Sequence, residues 1–220
     1  MRKHWKYIAL ALCCWLAGVL HAQTIALRAG NLIDPATGKV AQNQVVLIKD
    51  QKIVEVGDHV AIPKEAQVID LSSSWVMPGV MDAHTHITEG GVERWQDLDT
   101  IYLRESSGLR SLRGLHTGQI LLNAGITTVR DIGNEANYAA VDLRRAINRG
   151  WFVGPTVLAA GKIIAPYGGQ TGGIPPEEGT YWQLEYIDAD SPEAVRAAVR
   201  KNIYYGVDVI KLVADNARYH

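Results

Sequence analysis

The sequence predicts an α/β protein in which parallel strands are covered by helices, with a small all-β module in front of them. From residue 77 onward, short β-branched runs alternate with stretches of helical period, and the runs are apolar at consecutive positions, as in strands buried on both faces. Between residues 24 and 76, short apolar runs are instead broken by turn formers with no helical period. The 220 residues, 47% hydrophobic and 20% charged, have the composition of a globular protein able to bury a sizeable core. A net charge of -1 and the lack of any basic stripe argue against a nucleic-acid partner.

Residues 1–22 read as a signal peptide, so the protein is expected to be exported, to the periplasm or the medium. Arg2, Lys3 and Lys6 precede an apolar stretch of 14 residues from Tyr7 to Leu20. That stretch is shorter than the ~20 residues that span a bilayer, so no stable membrane span is expected once the leader is removed. Cys13 and Cys14 both lie inside the leader, and the bulky Leu12 disfavours a lipoprotein site there. The exported chain therefore needs no disulfide. Removal of the leader takes three of the 22 basic residues, leaving 19 against 23 acidic ones and a net charge of -4.

Residues 23–76 are expected to form the β module. Ile25-Ala26-Leu27 is followed by turn signals at Gly30-Asn31 and at Asp34-Pro35-Ala36-Thr37-Gly38. Val45–Lys49 and Lys52–Val56 flank Asp50-Gln51, which reads as a tight hairpin, and Val68–Leu71 is a further short strand. Four or so strands leave an unpaired edge that other sequence must cover.

Residues 77–220 carry the strand-helix repeat. A Pro78-Gly79 break releases a short strand ending in His84-Thr85-His86. In a strand, positions i and i+2 share a face, so both imidazoles aim at one spot. Spacing alone leaves two readings, two ligands for a divalent metal or a pair of surface histidines. Leu109, Leu112, Leu115, Ile120, Leu121 and Ala124 then follow helical spacing up to Gly125. Ile126–Asp131 is a strand, Tyr138–Asn148 a helix closed by Gly150, and Pro155–Ala160 another strand. The Gly- and Pro-rich stretch from Pro166 to Gly179 is too long for a simple connection, and such loops are functional or mobile. Ser191-Pro192-Glu193 starts a helix whose apolar face is Val195, Ala198, Val199 and Ile203, and Gly206 ends it. Val207–Val213 is the fourth strand. In a barrel of such strands the chemistry sits at their carboxyl ends, where His84, His86, Asp131 and the long loop all fall.

Lys211 lies within the apolar run Val209-Ile210-Lys211-Leu212-Val213, where an ammonium must shed its water. It can snorkel at the strand end, pair with an acid, or react as a neutral amine with carbon dioxide. The carbamate so formed is an oxygen ligand able to bridge two metal ions.

Three segments carry a family resemblance. Pro78-Gly79-Val80-Met81-Asp82-Ala83-His84-Thr85-His86 resembles the first-strand motif of the amidohydrolase superfamily, and Gly125-Ile126-Thr127-Thr128-Val129-Arg130-Asp131 resembles its second strand. Gly206-Val207-Asp208-Val209-Ile210-Lys211 resembles the fourth strand of the branch similar to imidazolonepropionases and Xaa-Pro dipeptidases. The resemblance implies a (β/α)8 TIM barrel preceded by a small β-sandwich. Residues 77–220 would be the amino-terminal half of that barrel, truncated after strand 4, and residues 23–76 part of the composite sandwich. It also implies a divalent-metal centre, zinc by preference and of one or two ions, with His84 and His86 on one ion and carbamylated Lys211 bridging to a second. The implied reaction is attack of a metal-activated water on an amide or other C–N bond of a small-molecule or dipeptide substrate. Dipeptides, acyl-amino acids and cyclic amides all fit.

The family's two further histidines and its general-base aspartate are expected beyond residue 220, since His59, His116 and His220 do not take those places. Tyr167 and Gln170 are the candidate substrate contacts, although relatives often have histidine where this chain has Gln170. Asp131 either orients the site or pairs with Arg130, and it is not assigned as catalytic. Homo-oligomerisation stays open. The alternative reading is a truncated, inactive exported fragment or an interaction module without a complete metal site.

Overall fold

The computed structural model describes residues 24–89, 104–133, 137–170 and 175–214. The expected leader at 1–22 lies outside them, as do the polar stretch at 92–102, residues 171–174 of the long loop, and His220. No helix among the described residues is long and apolar enough to cross a membrane. The chain divides into two compact units after Pro78.

The first unit is a four-stranded sheet in the order β3-β2-β1-β4, built from β1 (Thr24–Ile33), β2 (Val40–Lys49), β3 (Lys52–Gly57) and β4 (Gln67–Val76). β1, β2 and β3 are antiparallel neighbours, whereas β4 runs parallel to β1. Asp50 and Gln51 have φ values of 51° and 63°, the left-handed pair that a two-residue hairpin requires. At the other hairpin, the Asp34 carboxylate accepts from the Ala36 N–H and the Thr37 hydroxyl. The turn expected at Gly30-Asn31 does not form. β1 runs straight through it, with a register shift against β4 between Ala29 and Asn31. A Cβ on Gly30 would lie 2.0 Å from the Ser72 carbonyl oxygen, so this glycine serves a close backbone approach at a bulge. Among the described residues this unit is a single sheet, whereas the sandwich that the resemblance implies needs two.

The second unit opens on a parallel sheet in the order β5-β6-β7, comprising β5 (Val80–Thr85), β6 (Ile126–Asp131) and β7 (Thr156–Ala159). α1 (Ser107–Asn123) connects β5 to β6, and α2 (Ala139–Asn148) connects β6 to β7. Strand alternation puts Val129, Asp131, Val157 and Ala159 on one buried face, where Ile87, Tyr138, Val141 and Leu143 complete the core. The opposite face is bare, with Met81 72% exposed and Leu158 37%. β8 (Ile163–Ala165) and β9 (Tyr186–Asp188) form a second parallel pair, followed by α3 (Pro192–Tyr205). Ser106 and Ser191 cap α1 and α3 by accepting from the Leu109 and Ala194 amides.

Four expectations need correction. The expected fourth strand at Val207–Val213 is only a bridge, Leu212 against Ile164, with the Asp208 N–H also donating to the Ala159 carbonyl. Its partner edge is interrupted between β7 and β8, and the described residues offer no strand beyond it, so no continuous ladder forms. The face of α1 is only partly the leucine series: Leu115 and Leu121 pack against the core. Leu109, Leu112 and Ile120 are exposed, while Arg110, Gly114 and Gly118 are buried. A Cβ on Gly114 would meet Leu143 at 2.9 Å, and one on Gly118 would meet Pro155 at 3.1 Å, so the helix sits down on small residues. In α3, Ala198 is buried but Ile203 is 62% exposed. The inward position next to it belongs to Asn202, fully buried, which accepts from the Tyr138 hydroxyl and donates to the Lys162 carbonyl. Lastly, the stretch from Pro166 onward is not plain loop, since short 3-10 turns at Pro176–Glu178 and Tyr181–Leu184 lead into β9.

Candidate metal centre

His84 lies within β5 and His86 immediately follows it, and the chain turns there as the Glu89 N–H donates to the His86 carbonyl. The two rings meet edge to face, with centroids 5.7 Å apart and planes at 60°. Two imidazoles bound at ~2.1 Å to one tetrahedral ion have ring centres about 5 Å apart, close to the separation of this pair.

Three further residues set this corner. Asp131 is completely buried on the helix-covered face of β6, and its Oδ2 accepts the Ile87 N–H at 2.9 Å. The turn that follows His86 is thus tied to β6. Arg130 points to the other face and donates from Nε to the Ala83 carbonyl at 2.7 Å, so the two neighbours serve different partners. Of the two roles open for Asp131, orientation is the one its bonding supports. Gly133 supports the His86 ring directly: a Cβ there would lie 2.8 Å from both Cε1 and Nδ1. Glu89 flanks the same nitrogen, with Oε1 at 3.9 Å from Nδ1. The spacing of Gly133 and Glu89 in the sequence gave no sign of either role. The glycine could have been suspected only from its place just past a strand end.

Lys211 lies against β8, where its carbonyl accepts the Ile164 N–H at 3.0 Å, and the residue is half-buried. Among the described residues no group of three or more His, Cys, Asp or Glu side chains is placed to hold a metal. What the described residues bring together is the pair His84 and His86.

Tyr167 and Gln170 come together on one turn beyond β8. The Tyr167 amide donates to the Asp190 carboxylate, and its ring, 61% exposed, stands edge-on to buried Trp182 at 5.3 Å. The Gln170 carboxamide accepts from the Tyr186 hydroxyl at 3.4 Å. Below this turn Lys162 is buried and donates to the Gln183 carbonyl. Burial, together with the charge of Lys201, brings its ammonium down to about 8. Burial likewise pushes the Tyr138 hydroxyl up to about 12.

The family model that matches this chain is that of the amidohydrolase family, over residues 75–218. Aspergillus niger ochratoxinase is 32% identical over 219 residues, a match covering 90% of this chain and 44% of that protein. Among solved structures, a prolidase complexed with N-methylphosphonate-L-proline superposes with a TM-score of 0.72 at 29% identity, over 86% of this chain and 46% of the other. A Xaa-Pro dipeptidase with bound methionine gives a TM-score of 0.72 at 27% identity, over 86% and 47%. The chain thus spans under half the length of these relatives.

Proposed function

Because the chain belongs to the amidohydrolase family, as an amino-terminal part similar to Xaa-Pro dipeptidases, we propose that it forms part of an exported metal-dependent hydrolase that cleaves amide or other C–N bonds. The observation that carries this reading is the convergence of His84 and His86 at the carboxyl end of the first strand of a parallel sheet. A divalent ion held there, zinc by the preference of imidazole ligands, supplies an activated water and polarises the scissile carbonyl. Gly133 and Glu89 flank the Nδ1 side of His86, so Nε2 is the nitrogen that would take an ion. Asp131 holds the turn after His86 and keeps the imidazole at its station. Lys211, as the carbamate, would be the third ligand and would supply the oxygen for a second ion. The turn bearing Tyr167 and Gln170 faces substrate.

We further infer that the strands continue into a closed barrel. The exposed Met81, Leu158 and Leu212 support this, since interior positions of a barrel are packed. What favours a second reading, a chain that does not complete a metal site and binds no substrate, is that the described residues bring no third His, Cys, Asp or Glu ligand to the pair.

Expression of the complete open reading frame with zinc separates the two. Hydrolysis of a Xaa-Pro dipeptide, an N-acyl amino acid or a cyclic amide, abolished by a chelator and by H84A, is the expected result. A folded protein that retains no zinc and is inactive on all three classes would establish the second reading.

A further inference from the structure

The turn read above as facing substrate is built on a carboxylate that the motifs do not include. Asp188 ends β9 beside Ala165, the last residue of β8, so its side chain stands where both strands release their loops. Three donors converge on it. The Gly168 amide and the Trp182 indole N–H both reach Oδ1 at 3.0 Å, and the Gln183 carboxamide reaches Oδ2 at 2.9 Å. Gly168 belongs to the turn itself, Trp182 is the buried ring on which Tyr167 rests, and Gln183 neighbours it on the 3-10 turn. One half-buried carboxylate therefore fixes both the backbone under Tyr167 and the ring beside it. Gly169 closes the arrangement. It is left-handed, with φ of 57°, and a Cβ on it would lie 2.6 Å from the Tyr186 ring.

We propose that Asp188 is the positioning residue of the substrate turn, holding Tyr167 and Gln170 in their working places through Gly168, Trp182 and Gln183. This rests on the reading of that turn as substrate-facing. Charge-assisted acceptors bind more tightly than neutral ones, and three preorganised donors on one carboxylate confine the turn without using either contact residue's own side chain.

Hydrogen exchange at the Gly168 amide and the Trp182 indole measures the positioning in this chain. D188A should speed both by about tenfold or more, whereas D188N, which keeps an acceptor oxygen, should stay nearer the native rate. If D188A does not fold, D188E, which displaces the carboxylate by one methylene, reads the same loosening. Unchanged exchange in these variants overturns the role of Asp188. In the complete reading frame, D188A should raise KM about tenfold with kcat nearly unchanged, and D188N should restore most of the loss. Faster exchange with an unchanged KM would instead show that the turn does not face substrate.

Discussion

Replacing Lys162 with methionine should change how the stability of this chain depends on pH. Lys162 is 8% exposed, and its ammonium gives up its proton near pH 8 in the folded chain against 10.5 in the unfolded one. Below pH 8 both states are charged and the burial penalty is constant. Between about 8 and 10.5 the unfolded chain still binds a proton that the folded chain has released, so stability rises with pH through that window. Linkage sets the gain at about 2 kcal/mol between pH 7 and pH 10. Tyr138 acts in the opposite sense at higher pH. Its hydroxyl keeps its proton to about 12 when folded, against 10.0 when unfolded, so stability falls above pH 10. K162M keeps Tyr138 and loses the lysine, so the difference between the two proteins isolates one titration. Urea unfolding of both at half-unit steps from pH 7 to pH 10 is the assay. The wild type should gain on K162M by that amount across the series. Parallel curves would refute the claim that Lys162 is buried and destabilised in its charged form.

D131A removes the acceptor of a buried amide and should cost about 2 kcal/mol, read by urea unfolding, with D131N losing less. G133A places a methyl 2.8 Å from the His86 ring and should cost about 1–3 kcal/mol while shifting the His84 and His86 ring resonances in NMR spectra. S191A removes the cap of α3 and should cost about 1 kcal/mol in a thermal melt.

The parts of this fold legible in the sequence were those specified locally. The Asp50-Gln51 hairpin, the capped start of α3 at Ser191 and its stop at Gly206 depend on residues within a few positions of each other. Spacing was likewise enough to bring His84 and His86 onto one spot, because strand alternation is local. What was hidden depends on partners far along the chain. Gly114 and Gly118 are the contact face of α1 only because Leu143 and Pro155 leave no room for more. Asn202 fills a buried polar position only because Tyr138 and Lys162 present groups to it, 64 and 40 residues away. Val207–Val213 has the composition of a strand, yet a ladder needs a continuous partner edge, and that edge is broken between β7 and β8. Asp188 was invisible for a related reason. A lone aspartate after a three-residue strand gains meaning only from the three donors that reach it.

Metal content tests the central claim most directly. The complete reading frame, loaded with zinc and dialysed, should retain stoichiometric metal by elemental analysis, which H84A and H86A lose and K211A reduces. Equal metal in the wild type and all three variants would contradict the assignment of His84, His86 and Lys211 as its ligands.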